Sequence, residues 1–417
     1  MTGLRPPPRR GYAGAVTHRD AVARREESRT RPSHAVLLAA TVVLVAVNLR
    51  PAVAGVGPVL PELRVDVPLS GTGAAVLTTL PVLCFGLLAT VAPRLARRFG
   101  MEAVLVGTML ALAAGAVGRV LDGPAALFAG TVVAGGAIAV ANVLLPPLIK
   151  RDFPDRTGLM MGVYTMAVSG AAAVAAGLAV PLAEAADLGW RGSLGVWAVP
   201  AALAALIWLP RLRRRERPAA AASPAGRSLL RSPLAWQLTV FFGIQALSFY
   251  AVLAWLPSMY RDFGASPAAA GFLLSLSGLV QIPVSLVLPG LAARARTQVG
   301  YAVAGTALIG AGLAGVLLAP MAAPYLWVVL VGLGQGACFA LGLNLFVLRT
   351  RRVTDTARVS AMAQSIGYTL CAVGPLLVGV LHDVTRSWTV PLVLLLALLV
   401  PQLVTGALAG RDRTVQE

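Results

Sequence analysis

Twelve apolar segments, each close to the length that crosses a lipid bilayer, constrain what this chain can fold into. A spanning helix needs about 20 predominantly apolar residues, and irregular backbone cannot face lipid because its polar groups would lack partners. Charged residues are only 12% of the chain, against about 25% in soluble domains. We therefore predict an all-α polytopic membrane protein with twelve transmembrane helices. The segments are 35–57, 72–93, 102–121, 125–148, 158–181, 191–210, 234–256, 268–291, 299–319, 324–348, 359–381 and 389–409.

The positions of the basic residues predict the topology. A formal net charge of +18 would suggest nucleic acid for a soluble protein, but most of these cations lie in alternate connections between the segments. Such connections are cytoplasmic under the positive-inside rule, so we expect both termini in the cytoplasm and no nucleic-acid partner. The basic connections hold Arg94, Arg97, Arg98, Lys150, Arg151, Arg156, Arg211 to Arg231, Arg294, Arg296, Arg349 to Arg358, Arg411 and Arg413.

A polar stretch at 211–233 divides the segments into six plus six, and weak internal similarity indicates a duplication. A spacing of 202 residues relates Asn142 to Asn344 and Met160 to Met362. We predict two six-helix repeats, an arrangement that resembles the major facilitator superfamily, whose halves rock around a midplane cavity. The predicted parts are a disordered basic cytoplasmic tail at 1–33, an N-terminal bundle at 34–210, a cytoplasmic central loop at 211–233, a C-terminal bundle at 234–410 and a cytoplasmic tail at 411–417.

Three segments carry a narrower resemblance. They are Asn48-Leu49-Arg50-Pro51 with Gly57-Pro58-Val59-Leu60-Pro61-Glu62-Leu63, then Leu77-Thr78-Thr79-Leu80-Pro81-Val82-Leu83-Cys84-Phe85-Gly86-Leu87-Leu88, then Phe242-Gly243-Ile244-Gln245-Ala246-Leu247-Ser248-Phe249-Tyr250 with Ala254-Trp255-Leu256-Pro257. Together they resemble the cyanate / 2-nitroimidazole transporter family of that superfamily, over residues 35 to 410. The resemblance implies a multi-pass carrier of the bacterial inner membrane for small, often anionic or nitro-bearing compounds. Arg97 stands where the superfamily's loop signature has Asp, which puts a carboxylate-based gating lock in doubt.

Arg50 is the most informative single residue. It lies about 16 residues into the first apolar segment, a little past mid-bilayer at roughly 1.5 Å per residue. An arginine there costs about 2.5–3.5 kcal/mol, and such residues usually serve a ligand, an ion path or an ion pair. No Asp or Glu lies in the interior of the twelve segments, which favours an anionic or electron-rich ligand held by the planar guanidinium. The alternative is that Arg50 caps carbonyls or reaches outward to the interface.

Other polar and aromatic side chains within the segments are candidate substrate contacts. Asn48 lies about 160° from Arg50 at 100° per residue. Either the helix unwinds near Pro51, or Asn48 bonds a neighbouring helix. Gln245 is expected to orient the ligand from the second half, unless it only packs between helices. The candidates are Arg50, Asn48, Gln245, Tyr250, Trp255, Asn142, Asn344, Gln281, Gln364 and Tyr368.

The sequence favours transport over other function classes. It shows no nucleotide loop, catalytic constellation or metal-ligand spacing, so we expect no enzyme, cofactor or metal. We predict a monomeric secondary transporter of a small anion or nitro-bearing compound that works by alternating access. Its partners are then that substrate and the lipid bilayer. Proton coupling is left open, with Glu62 as the candidate acceptor. The alternatives are a drug or metabolite efflux carrier of the same superfamily and a membrane sensor without transport.

Overall fold

The computed structural model describes residues 32–185, 189–213 and 229–415, and these ranges are helical apart from short connections. Met1–Ala40 and Thr41–Glu417 are separate compact units. In the first unit, the described part is the start of the first helix. The α-helices are Pro32–Val47, Pro51–Ala54, Val56–Asp66, Gly71–Leu88, Ala92–Phe99, Met101–Gly118, Pro124–Asp152, Thr157–Ala185, Gly189–Gly195, Ala198–Trp208, Pro233–Asp262, Pro267–Arg294, Val299–Leu318, Pro324–Leu348, Val353–Thr385 and Thr389–Ala409, with 3-10 helices at Ala89–Val91, Pro154–Arg156, Leu209–Arg213 and Leu229–Arg231.

Within the described residues, twelve stretches are long and apolar enough to cross a membrane, which confirms the predicted number of transmembrane helices and the all-α fold class. The predicted apolar segments coincide with them to within a few residues at most ends. They are numbered spans 1 to 12 in chain order: Val36–Leu60, Val76–Phe99, Met101–Gly118, Pro124–Asp152, Pro154–Glu184, Gly189–Leu212, Pro233–Asp262, Ala269–Arg294, Val299–Leu318, Pro324–Leu348, Val353–Thr385 and Thr389–Ala409.

The predicted division into tails, bundles and a central loop stays a prediction. Most of the tail, at 1–31, and most of the central loop, at 214–228, lie outside the described residues, as do 416–417. For description, spans 1–6 are called the first half and spans 7–12 the second half. The basic end is the end of the spans whose connections carry Arg94, Lys150, Arg211 and Arg349.

The two halves approach closely where spans 5 and 8 cross near the basic end. Gly162 of span 5 faces the backbone of Leu286, and an added Cβ would clash with that carbonyl oxygen. One turn farther along, the Thr165 hydroxyl donates to the Ser285 carbonyl at 2.7 Å. Small residues at a helix crossing allow such backbone approach. Gly170, two turns beyond Gly162, has no atom within 4 Å of an added Cβ, so a larger residue is tolerated there.

A lysine joins the halves at the same end. Lys150, at the end of span 4, donates its Nζ to the Val347 carbonyl at 2.8 Å and to the Thr350 hydroxyl at 3.2 Å. It also donates to the Thr350 carbonyl. Val347 lies in the last turn of span 10 and Thr350 lies two residues beyond its end, where carbonyls lack helical partners and a cation is favourable. Lys150 therefore bridges the two halves through these oxygens, and the nearby Asp355 carboxylate interacts electrostatically with it.

Candidate functional site

The backbone of span 1 breaks at Arg50. The first helix ends at Val47, the residues Asn48 to Arg50 form turns, and helix resumes at Pro51. Proline has no N–H and its ring clashes with the preceding turn, so an uninterrupted helix is disfavoured at that point. The Asn48 and Leu49 amides instead bond three residues back, each at 3.1 Å. The unwinding near Pro51, one of the two alternatives from the sequence, is thus present as an interruption of the helix.

The break presents the Arg50 guanidinium to side chains from both halves. Its Nη1 donates to the Tyr250 hydroxyl of span 7 at 3.4 Å. Its Cζ lies 5.8 Å from the ring centroid of Phe85 in span 2 and 6.0 Å from that of Phe339 in span 10, within the range of cation–π attraction. The Tyr368 hydroxyl of span 11 also interacts with the guanidinium. Within the described ranges, no carboxylate forms an ion pair with Arg50.

Tyrosines and phenylalanines enclose this cation. The Tyr368 ring packs edge-on against Phe85, with centroids 5.3 Å apart, and against Phe242 at 5.4 Å. Phe249 packs edge-on against Tyr250 at 5.3 Å. The name Arg50 site is used below for Arg50 together with Phe85, Tyr164, Tyr250, Phe339 and Tyr368.

Tyr164 links the site to two of the predicted amides. This buried tyrosine of span 5 interacts electrostatically with Arg50, and its hydroxyl lies 3.5 Å from the Asn142 Oδ1, to which it donates. Gln364 donates to the Asn142 carbonyl at 3.3 Å and to the Ser360 hydroxyl at 2.7 Å. The Asn142 Nδ2 is buried without a partner. Asn142 and Gln364 therefore join spans 4 and 11 beside the Arg50 site.

The Arg50 site can bind a small planar group that carries negative charge or partial negative charge. The guanidinium offers a fixed fork of donors that matches a carboxylate, a nitro group or a pseudohalide. It keeps an intermediate exposure, whereas Asn48 two residues earlier is only 4% exposed. In a low-dielectric interior a lone cation attracts an anion far more strongly than it would in water. Tyrosine hydroxyls can add donors, and aromatic faces can stack on a flat ligand.

Asn48 is directed elsewhere. Its Nδ2 donates to the Leu44 carbonyl at 2.7 Å and to the Pro200 carbonyl of span 6 at 3.3 Å. The sequence offered two alternatives, unwinding near Pro51 or a bond from Asn48 to a neighbouring helix. The structure shows both. A direct contact between Asn48 and substrate stays a prediction.

Gln245 belongs to a separate polar group inside the second half. Its Nε2 donates to the Gln335 Oε1 of span 10 at 3.1 Å, and the Gln335 Nε2 donates to the Ser248 hydroxyl at 2.9 Å. All three residues are about 1% exposed, and the Gln245 Oε1 has no hydrogen-bond partner in the described part of the chain. The structure does not bring Gln245 to Arg50, and its role as a ligand contact is untested.

Three other predicted contacts donate to backbone carbonyls, Gln281 within its own helix and Asn344 and Trp255 to a neighbouring helix. Gln281 donates to the Ser277 carbonyl at 3.1 Å, and Asn344 donates to the Pro289 carbonyl at 3.1 Å. Trp255 donates to the Pro375 carbonyl at 2.7 Å. Asn142 and Asn344 are thus not equivalent, because one adjoins the Arg50 site and the other ties span 10 to span 8. Their substrate contacts also stay predictions.

Comparison with known proteins decides the family. The model of the Major Facilitator Superfamily matches residues 39–375. The chain belongs to the major facilitator superfamily. A 2-nitroimidazole transporter of Escherichia coli strain K12 is 38% identical over 386 residues, which cover 91% of this chain and 97% of that protein. The uncharacterised transporter YycB of Bacillus subtilis strain 168 is 39% identical, over 90% of this chain and 93% of its own.

A third relative completes the resemblance drawn from the sequence segments. The cyanate transport protein CynX of Escherichia coli strain K12 is 31% identical, over 83% of this chain and 90% of its own. The resemblance to cyanate and 2-nitroimidazole transporters is therefore confirmed. Among solved structures, the proton:xylose symporter XylE has the same fold, with a TM-score of 0.74 at 13% identity, covering 93% of this chain and 99% of that chain. The chain is thus a superfamily transporter and a multi-pass membrane protein that acts on a small molecule.

Sequence reasoning missed several residues around the two polar groups. Phe85 belongs to one of the segments that carry the family resemblance, but nothing in the sequence indicated its place beside Arg50. Tyr164 carried a usable signal, a tyrosine in the middle of an apolar span, where its hydroxyl needs a partner. Gln335 carried the same kind of signal in span 10. Phe339 had none, because a phenylalanine in an apolar run is typical of ordinary packing.

Proposed function

We propose that this transporter is a secondary carrier that moves a small anion or nitro-bearing compound, cyanate-like or 2-nitroimidazole-like, across the bacterial inner membrane by alternating access. Both termini then lie in the cytoplasm. The observation that carries the proposal is the lone Arg50 guanidinium, held at a break in span 1 between the two halves. The names of the relatives support the substrate class.

In the proposed mechanism, Arg50 anchors the charged or nitro end of the ligand. Tyr250 and Tyr368 come from the second half, so a ligand that engages them together with Arg50 spans the boundary between the halves. Binding can then couple to their relative motion, as expected when a site lies at the interface of two repeats. Ligand binding shifts the equilibrium only if the ligand contacts differ between the two states.

Ligand-dependent stabilisation of purified protein tests the substrate class. A ligand that binds the native state stabilises it by about 2.7 kcal/mol when the ligand concentration is a hundred times its Kd. This stabilisation raises the Tm. We expect cyanate or 2-nitroimidazole to raise the Tm, with competition between the two. If bulky lipophilic cations stabilised the protein and both small compounds did not, the efflux alternative would replace this proposal.

Replacing Tyr250 by phenylalanine should weaken ligand binding modestly. The change removes the hydroxyl that Arg50 donates to but keeps the ring packed on Phe249. A neutral hydrogen bond contributes roughly 0.5–1.5 kcal/mol, so we expect Kd to rise by up to about tenfold. Equilibrium binding of labelled 2-nitroimidazole measures it. Tyr260→Phe, a change of a tyrosine that bonds the Pro324 carbonyl instead, is the matched control and should leave Kd unchanged.

Lys150 reports on whether the basic end opens during transport. It is the single lysine of the sequence, and its Nζ is held by acceptors of span 10. We expect an amine-reactive reagent to modify Lys150 slowly in the resting protein and several-fold faster during substrate cycling, because separation of the halves frees the ammonium. Quantitative mass spectrometry of the modified peptide measures the rate, with Lys150→Arg giving the background. A rate equal to that of a free amine in both conditions would show that the bridge is not closed at rest.

A further inference from the structure

Arg119 is a second buried cation, at the turn between spans 3 and 4. It is 1% exposed and belongs to no ion pair of the described residues. Its Nη1 donates to the Ala52 carbonyl at 2.5 Å, and its Nη2 donates to the Leu194 carbonyl at 3.1 Å. Its Nε is buried and has no hydrogen-bond partner among the described residues. Burial lowers the pKa of Arg119 to about 10, so the side chain remains charged at neutral pH.

The two acceptors make Arg119 a tie between three spans. Ala52 lies in the four-residue helix that directly follows the break of span 1, and Leu194 lies near the start of span 6. Gly130 of span 4 faces the backbone of Arg119, where any larger side chain would clash. Burying a charge that only carbonyl dipoles compensate is costly.

Arg50 lies between this tie and a second one. On one side of Arg50, Asn48 donates to the Pro200 carbonyl of span 6. On the other side, Arg119 holds the Ala52 carbonyl and reaches span 6 at Leu194. The break has exchanged regular helical hydrogen bonds for shorter-range ones, so the local backbone alone constrains it weakly. The two side-chain ties supply constraints on both sides of the residue that forms the site.

We propose that Arg119 is a positioning residue for the Arg50 site. By holding the Ala52 carbonyl it fixes the break in span 1 and thereby aims the Arg50 guanidinium at Tyr250 and the ligand. The part of this inference that concerns transport rests on the proposed function. The part that concerns the backbone of span 1 does not.

Amide hydrogen exchange of purified full-length protein tests the backbone part. We expect Arg119→Met to speed exchange in peptides that cover Leu49 to Val56 by at least about tenfold, because the segment then opens locally more often. Arg349→Met is the matched control. Arg349 is also a buried arginine that donates to carbonyls, those of Ala409 and Gly410, but it lies in the second half. Unchanged exchange of that segment in Arg119→Met would overturn the proposal.

Uptake of labelled 2-nitroimidazole into proteoliposomes tests the consequence. A small displacement of a binding group can weaken its action by about ten- to a hundredfold, so we expect Arg119→Met to raise KM about tenfold and to change the maximal rate much less. Arg119→Lys keeps the charge on a single donor nitrogen, and its KM should lie between those of wild type and Arg119→Met. It replaces Arg119→Met in the experiment if that variant does not fold. In an Arg50→Gln background the Arg119 substitution should add nothing to KM.

If the effects of the two substitutions on KM multiplied in the double variant, Arg119 would act independently of Arg50. That result would overturn the positioning role. A fall in the maximal rate of Arg119→Met with an unchanged KM would also overturn the positioning role. If wild-type protein transported neither 2-nitroimidazole nor cyanate, the proposed substrate class would fail, and the exchange experiment alone would still decide whether Arg119 holds the break.

Discussion

Replacing Arg50 by glutamine is expected to weaken ligand binding about a hundredfold or more, and replacing it by lysine about tenfold. Hydrogen bonds to a charged group contribute about 1.5–3 kcal/mol, and each 1.4 kcal/mol corresponds to about a factor of ten in Kd. Glutamine removes the charge and most of the donors. Lysine keeps the charge but loses the planar fork that engages two ligand atoms together. Equilibrium binding of labelled cyanate and 2-nitroimidazole to purified variants measures both effects.

The thermal stability of the same variants separates a binding role from a structural one. An interior arginine without a carboxylate partner is costly, so Arg50→Gln should have a Tm equal to or above that of wild type without ligand. Arg349→Gln, which removes a buried arginine that caps the end of span 12, should lower the Tm and leave Kd unchanged. A lower Tm for Arg50→Gln with unchanged Kd would contradict the anchor role and support the capping alternative.

Gly162→Ala is expected to cut transport at least about tenfold while ligand binding persists. An added Cβ at Gly162 clashes with the backbone carbonyl of Leu286, which cannot move away as a flexible side chain could. Overpacking costs about 1–3 kcal/mol, enough to shift the closure of the basic end by roughly ten- to a hundredfold. Transport needs both states, so destabilising one slows the cycle. Initial uptake rates and equilibrium binding, measured on the same preparations, show the effect.

Gly170→Ala is the matched control, because it makes the same change in the same span where no atom lies within 4 Å of the new Cβ. It should transport at the wild-type rate. The Lys150 bridge provides a second measure, since Gly162→Ala should speed the modification of Lys150 in resting protein and Gly170→Ala should not. Wild-type transport together with an equally protected Lys150 in Gly162→Ala would refute closure at this crossing.

The number and approximate bounds of the spans were predictable from sequence because hydropathy over about 20 residues is a local property. The interior position of Arg50 was predictable for the same reason, since its depth and the absence of interior carboxylates can be read along the chain. Tyr250 and Tyr368 were named as candidates, and the structure places both beside Arg50. The family resemblance added an expected class of ligand but no geometry.

The remaining features depend on which helices meet. A constant 100° per residue fails across the break at Asn48 to Arg50, so the angle between those side chains could not be computed from sequence. The pairing of Gln245 with Gln335 joins residues 90 positions apart. Arg119 stands at the end of the third apolar segment, and no local pattern shows that its guanidinium turns inward to Ala52. These contacts arise from tertiary packing, which local propensity does not encode.

The most direct test of the central claim is uptake into proteoliposomes of labelled cyanate, beside labelled 2-nitroimidazole, with purified protein and an imposed membrane potential. The account predicts uptake that requires the protein, saturates with concentration and has a KM raised about a hundredfold in Arg50→Gln, with the cyanate flux responding to the potential because the anion carries charge. Saturable uptake that is undiminished in Arg50→Gln would contradict the role of Arg50 as the anchor. Absence of uptake of both compounds by folded wild-type protein would contradict the substrate class itself.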